Sequence, residues 1–290
     1  MNFRGHKYAL LVRRELWEHK ALWLAPLVVG ALMVILPMFG NFRAGPGFEI
    51  NTSTPDIPPE MRRYAGQLLM AGLAAVLGVV SCLVTVVYLL DCLFAERKDR
   101  SILFWKSLPV SDAETVLSKL ALAVSIVPLL TLVVAFLAYV LLSGLLFLRY
   151  EHLRPAMEQI SLAQGLLTLG QLASKWLFVL LWYAPVAAYL MLASVLAKRT
   201  PLVYAVLPPV ALVMIENMLL DSNYVMGFLR RWLAPGSRVN PNTPFISDGR
   251  VVEAPAWLLQ LREPDLWLGL AAAAVMVYIV IRLRRYRDDT

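Results

Sequence analysis

The chain has 290 residues, 59% of them hydrophobic, and a mean hydropathy of +0.65. This apolar content excludes an ordinary soluble domain. Apolar stretches of about 20 residues recur, which is the length needed to cross roughly 30 Å of hydrocarbon. The formal net charge is +7, but Lys and Arg lie beside the apolar stretches, which favours a membrane-topology signal over a nucleic-acid footprint.

Six membrane-spanning helices are predicted, and we therefore expect an all-α integral membrane protein with a single transmembrane domain over residues 1–290. In chain order the predicted spans are Ala21–Gly40, Leu68–Leu90, Leu120–Leu148, Trp176–Ala197, Leu202–Leu220 and Leu266–Ile281. We interpret the first as a retained helix, because the basic segment before it is long and no A-x-A cleavage site follows it.

The distribution of basic residues predicts the orientation of the chain. Six spans place both termini on one side of the membrane, and the segments on that side carry sixteen of the 27 Lys and Arg residues. Positive charge marks the cytoplasmic side. We therefore expect cytoplasmic N and C termini.

Three segments outside the spans have patterns of their own. Residues 1–20 contain "RGHKYALLVRRELWEHK", which predicts a cytosolic helix at the membrane surface. Residues 91–119 form a charged cytosolic loop, and residues 221–265 form the longest outer segment. Within the latter, "MGFLRRWLAP" predicts a short helix that lies in the outer interface or packs as an ordinary periplasmic loop.

The sequence lacks the usual signatures of catalysis. None of its fifteen glycines is followed by lysine, so no P-loop ATPase is recognisable. His6, His19 and His152 have no metal-binding spacing, and no G-x-S-x-G is present, so we expect no catalytic residues, no metal and no cofactor in this chain. The predicted spans are nearly free of ionisable groups except Glu216, which disfavours a carrier driven by a coupling ion.

The loop after the second span has several features of a docking element. Its helix can continue through "DCLFAERKDR", and Ile102–Trp105 form an apolar cluster next to this charge. Leu108-Pro109 breaks the chain direction. Ser111 and Glu114 have capping-box spacing for the helix that enters the third span. A solvated connector that obeys the positive-inside rule is the alternative.

The stretch "LLDCLFAERKDRSILFWKSLPVSDAETVLSK" resembles the first cytosolic loop of membrane subunits in type 2 ABC exporters. The matching positions are Glu96, Ser101, Leu108, Pro109, Ser111 and Lys119. The resemblance implies a multi-pass permease in the bacterial cytoplasmic (inner) membrane, in contact with membrane lipid and not with nucleic acid. It also implies a homo- or heterodimer of permeases and a separate ATP-binding cassette subunit that carries the ATP and Mg, with Glu96–Pro109 as the coupling helix.

Two sets of residues are expected at the interface with that ATP-binding subunit. The first set is the coupling segment: Glu96, Arg97, Lys98, Asp99, Arg100, Ser101, Phe104, Trp105, Leu108 and Pro109. The second is a possible contact with the ATPase or the membrane surface: Arg13, Arg14, Glu15 and Trp17.

Features inside the spans suggest roles in movement and transport. Glu216 and Asn217 are candidates for the pathway or a gate, or else reach water at the outer interface. Ala74, Gly78 and Cys82 form a small-residue ridge that favours close helix approach, within the chain or between copies. Four prolines are candidate hinges or simple determinants of packing: Pro128, Pro185, Pro208 and Pro209.

Three functions are compatible with these sequence features. The first is the permease of an ATP-driven exporter. The second is a membrane subunit that passes ATP-driven motion to a periplasmic partner without transport, and the third is a carrier or enzyme that works alone.

The topology can be tested with reporter fusions. Reporters at Thr290 and Asn51 should lie on opposite sides of the membrane, because the basic segments place the C terminus in the cytoplasm. Alkaline phosphatase and fluorescent-protein fusions measure the side directly. The same side at both positions would contradict six spans.

Overall fold

The computed structural model describes most of the chain. The described residues are 3–39, 42–43, 49–50, 64–99, 110–150, 154, 158, 160–219, 222–233 and 264–286.

The described chain is almost entirely helical. Its α-helices are α1 (Phe3–Glu18), α2 (Ala21–Ile35), α3 (Ala65–Asp91), α4 (Phe94–Lys98), α5 (Asp112–Ala121), α6 (Val127–Arg149), α7 (Leu162–Leu196), α8 (Pro201–Leu219), α9 (Tyr224–Leu233) and α10 (Pro264–Tyr286). A 3₁₀ turn, Leu36–Phe39, follows α2, and two short antiparallel strands, β1 (Phe42–Arg43) and β2 (Glu49–Ile50), pair Phe42 with Ile50.

Six helical segments are long and apolar enough to cross a membrane, as the sequence predicted. They are Ala21–Phe39, Ala65–Lys98, Asp112–Arg149, Leu162–Leu196, Pro201–Leu219 and Pro264–Tyr286. The protein is therefore a multi-pass membrane protein on the basis of helix length and composition. The sidedness of its termini stays a prediction.

The start of the fourth span was predicted too late. The sequence indicated Trp176, whereas α7 begins at Leu162. The segment before Trp176 has a mixed composition, with Gly165, Gly170 and polar residues in its apolar run. Gln164 N–H nevertheless donates to the hydroxyl of Ser161 over 3.1 Å, which caps the new helix start.

The helical extension after the second span is present but interrupted. The sequence predicted that the helix continues through "DCLFAERKDR". The structure ends α3 at Asp91 and restarts as α4 at Phe94. The break lies at Cys92 and Leu93, where Ser194 receives the N–H groups that a continuous helix would have used internally.

The capping box that the sequence predicted is confirmed at the start of α5. The hydroxyl of Ser111 accepts from the N–H of Glu114, and the carboxylate of Glu114 accepts from the N–H of Ser111. Further along, a π-helical turn, Leu122–Ile126, precedes α6. Pro128 accounts for this turn, because proline lacks an N–H and its ring clashes with the carbonyl four residues earlier.

The chain divides into two compact units, and the first comprises Arg13–Thr85 and Ser125–Trp176. In it α2 packs along α6. A Cβ on Gly30 would lie 2.8 Å from Val134, so glycine permits this close approach. The core of this unit is built from α3 and α6 around the fully buried side chains of Leu77 and Tyr139.

The predicted small-residue ridge on α3 is split between two environments. Ala74 and Gly78 are buried within the first unit, where a Cβ on Gly78 would lie 3.0 Å from the ring of Trp176. Cys82 is exposed, and neither Cys82 nor Cys92 forms a disulfide within the described residues. The inner part of the ridge is therefore an intrachain packing surface.

The second unit comprises Met1–Val12, Val86–Val124 and Leu177–Thr290. In it α10 packs against α5, and α8 lies against α9. One of its cores surrounds Trp232 of α9, whose ring centroid is 5.2 Å from that of Trp182. The ring of Trp232 lies directly over Gly269 of α10.

Gly269→Ala should destabilise the protein, because the added Cβ would overlap the Trp232 ring, and Trp182 keeps that ring from moving away. We expect a loss of about 1–3 kcal/mol in unfolding free energy, typical of overpacking. Gly144→Ala is the matched control, since nothing lies within 4 Å of a Cβ at that position. Thermal unfolding in detergent, followed by tryptophan fluorescence, compares the two variants. Equal stability of both would show that the Trp232 site is loosely packed.

Candidate functional site

The short helix α4 lies at the centre of a buried cluster of charges. The carboxylate of Glu96 is 3.1 Å from Nζ of Lys119 in α5 and 3.0 Å from Nη2 of Arg284 in α10. Nε of Arg284 is also 3.5 Å from the carboxylate of Asp112. We name these four residues the Glu96 junction. Their two anions and two cations cancel in formal charge.

Three of the four junction residues are almost fully removed from solvent, and Asp112 is partly exposed. The exposed fractions of Glu96, Lys119 and Arg284 are 7%, 1% and 4%. A charged side chain buried to this extent is retained only when a partner compensates its lost hydration. The three side chains therefore depend on one another for their placement.

Helical register brings the cations of the junction to Glu96. In α5, Asp112 and Lys119 are separated by two turns and share a face with the buried Val116. In α10, Arg284 continues the buried stripe that includes Ala273 and Val280. The neighbouring Arg285 is exposed because it lies off this stripe.

Arg97, the next residue of α4, contacts a different helix. Its Nη2 donates to the carbonyl of Ser194 over 2.7 Å and to the carbonyl of Ala197 over 3.1 Å, at the C-terminal end of α7. These carbonyls have lost their intrahelical partners, and a cation also complements the negative end of the helix dipole. The hydroxyl of Ser194 accepts from the N–H groups of Leu93 and Phe94 over 3.2 and 3.1 Å. We name these contacts the Arg97 cap.

The structure divides the predicted coupling segment into inner and outer residues. Glu96 is buried in the junction, and Arg97 is engaged in the cap. These placements argue against direct contact of the Glu96 carboxylate with a partner. Lys98 and Asp99, in contrast, are exposed. The remaining residues of that set lie outside the described residues: Arg100, Ser101, Phe104, Trp105, Leu108 and Pro109.

The second predicted contact set lies at the end of α1. Arg13 and Trp17 are exposed, with the guanidinium of Arg13 4.9 Å from the centroid of the Trp17 ring. Glu15 is 0% exposed and pairs with Arg14. Burial of Glu15 argues against its direct contact with a partner, whereas the Arg13–Trp17 pair matches a surface role at the membrane or a protein.

Three side chains near the end of α1 could be taken for a metal site that the sequence did not predict. Potential ligand atoms of Glu15, Glu18 and His19 lie within 4.8 Å of one another. However, Arg14 pairs with both carboxylates, and His19 lies 3.9 Å from Glu15. Because the guanidinium of Arg14 already pairs with both carboxylates, we interpret the group as an ion-pair cluster.

Glu216 has a structural partner that the sequence did not suggest. Its carboxylate is buried and accepts from the N–H of Tyr224 over 2.6 Å and that of Val225 over 2.7 Å. The hydroxyl of Ser222 donates to it over 2.8 Å. Glu216 therefore caps the N-terminal end of α9, where unpaired N–H groups and the helix dipole favour an anion. Asn217 is exposed.

Helix α9 is fixed at both of its ends. Glu216 holds its N terminus, and Trp232 is inserted over Gly269 near its C terminus. The helix predicted within residues 221–265 is thus present as Tyr224–Leu233. Tyr224 and Phe228 are 82% and 60% exposed, although Phe228 also contacts the ring of the buried Trp232. Its position in a membrane interface stays a prediction.

The four candidate hinge prolines have unequal effects on the helices. Pro128 follows the π-helical turn, whereas Pro185 lies inside the continuous α7. Pro208 and Pro209 lie inside the continuous α8. A backbone irregularity therefore accompanies Pro128, and the role of all four as hinges stays a prediction.

The chain matches no protein-family model, no curated protein and no solved structure.

Glu216→Ala should loosen α9, because the N–H groups of Tyr224 and Val225 at its start would lose their charged acceptor. We expect a loss of about 1–3 kcal/mol in unfolding free energy. Asn217→Ala, in the adjacent exposed position, should change it by less than about 0.5 kcal/mol. Thermal unfolding together with hydrogen exchange in residues 224–233 measures both effects. Unchanged exchange in Glu216→Ala would show that the cap does not hold the helix.

Proposed function

We propose that this protein is the permease subunit of an ATP-driven exporter of the ABC type, which forms the translocation pathway and docks a separate ATP-binding subunit through its cytosolic segment 91–119. The observation that carries the proposal is the position of Lys98 and Asp99. They are exposed at the end of a helix whose preceding residues are held by three other helices. The resemblance of this stretch to the coupling loop of type 2 exporters supports the same role.

The source of energy follows from the sequence. An exporter works against a gradient, and this chain has neither a P-loop nor a series of ionisable groups within its spans. Its one buried carboxylate in α8, Glu216, is occupied by the cap of α9. A separate subunit that binds ATP and Mg therefore has to supply the energy.

The docking surface in this proposal begins where the buried part of α4 ends. Lys98 and Asp99 are neighbours with opposite charges, and both residues are exposed. The sequence that follows contains Phe104 and Trp105, and aromatic residues are enriched at protein interfaces. Arg13 and Trp17 of α1 provide a possible second contact.

Motion passed to a periplasmic partner is the second candidate function. The observation that favours it is the anchored helix α9 with Tyr224 and Phe228 on its exposed face. A helix held at both ends can present a fixed surface to another protein. Transport measured in liposomes with the assembled complex separates the two functions, because a purely mechanical subunit moves no cargo.

Co-purification with an ATP-binding cassette subunit encoded by an adjacent reading frame tests the proposal. The two proteins should form a complex, and the purified permease alone should not hydrolyse ATP. Asp99→Lys and Lys98→Glu should each weaken the complex about tenfold or more, because misplaced like charges at an interface cost more than 1.4 kcal/mol. Titration of labelled ATP-binding subunit into nanodiscs that contain the permease measures the affinity.

Lys198→Glu is the matched control for Lys98→Glu. Lys198 is also exposed and lies in the other predicted cytosolic loop. Its reversal should leave the affinity within about twofold of the wild-type value. If both reversals at residues 98 and 99 leave affinity and ATP turnover unchanged, the docking segment is assigned wrongly. ATP hydrolysis by the permease alone would contradict the function itself.

A further inference from the structure

Helix α4 contacts three membrane helices and is connected to a fourth by the chain. Glu96 faces Lys119 of α5 and Arg284 of α10, and Arg97 faces the end of α7. The break at Cys92 and Leu93 connects α4 to α3. All of these contacts lie within the second compact unit.

We infer that the Glu96 junction and the Arg97 cap make α4 a common anchor for four membrane helices, so that a partner docked at Lys98 and Asp99 moves all four. Arg284 is then a positioning residue for coupling, although it lies roughly 190 residues after the docking segment. This inference rests on the proposed function. A loop that only connects its two flanking spans would act on α3 and α5 alone.

Burial explains why these contacts can transmit displacement. Glu96, Lys119 and Arg284 have almost no access to water, so moving Glu96 away from its cations would leave buried charges uncompensated. The helices should therefore follow α4 rather than separate from it. An exposed ion pair would not have this property, because water replaces a lost partner at little cost.

Hydrogen exchange of the full chain in nanodiscs, without any partner, provides the first part of the test. Arg284→Gln should accelerate exchange about tenfold or more in α4 and at the start of α5, since Glu96 loses one of its two cations. Arg285→Gln is the matched control, because Arg285 is adjacent to Arg284 and exposed. In this variant, hydrogen exchange in α4 and α5 should equal that of the wild type. Arg284→Lys, which retains the positive charge, should restore most of the protection.

The second part uses the complex with the ATP-binding subunit. Addition of Mg and a non-hydrolysable ATP analogue should change exchange at the ends of α5, α7 and α10 in the wild type. In Arg284→Gln the change at α10 should disappear while the change at α7 remains. Arg97→Gln should give the reverse pattern, with Lys198→Gln, an exposed position outside the docking surface, as its control. If either arginine only stabilised the fold, its substitution would not abolish the nucleotide-induced change in exchange at one of these helices and leave it intact at the other.

Each outcome decides between the two proposals. If Arg284→Gln leaves the exchange of α4 and α5 unchanged, or the nucleotide-induced change at α10 persists in that variant, the anchor is wrong and the proposed function is unaffected. If Arg284→Gln does not fold, Arg97→Gln and the response at α7 decide instead. If no ATP-binding subunit associates with a wild-type chain whose junction behaves as expected, the proposed function fails, and the coupling role of the junction fails with it.

Discussion

The buried carboxylate of Glu96 is the constraint on which the arrangement of the helices around α4 depends. A carboxylate with an exposed fraction of only 7% has lost nearly all of its hydration. It is stable there only if cations approach from fixed positions, and among the described residues two such cations come from α5 and α10. The requirement to compensate one charge therefore fixes the mutual position of α4, α5 and α10, the last of which is far from the other two in sequence.

The same principle operates at the ends of other helices. Arg97 supplies positive charge to the carbonyls that end α7, and Glu216 supplies negative charge to the N–H groups that begin α9. Each cap comes from a different helix rather than from the local sequence. In an apolar environment an unpaired backbone group is expensive, so such caps connect helices as firmly as side-chain packing does. Charged groups thus act here mainly as connectors between helices.

Apolar length and composition were sufficient to predict the six spans, because crossing hydrocarbon imposes a minimum length that few other structures require. The capping box at Ser111 and Glu114 was also predictable, since its spacing is local. The partners of Glu96 were not. Arg284 looked like one more basic residue of a cytoplasmic tail, and only the phase of the buried stripe with Ala273 and Val280 distinguishes it from Arg285. Glu216 was similarly ambiguous, because its acceptor role depends on the fold of residues that follow α8.

The position of Arg284 near the end of the chain has a consequence for biosynthesis. Glu96 and Lys119 emerge from the ribosome early, whereas Arg284 follows Glu96 by roughly 190 residues, a delay of about 10–40 s at ordinary elongation rates. During that interval the carboxylate has Lys119 but not its second cation. The charge cluster around Glu96 is therefore completed only when α10 inserts, so a chain in which α10 is missing or mis-inserted keeps the Glu96 carboxylate without Arg284.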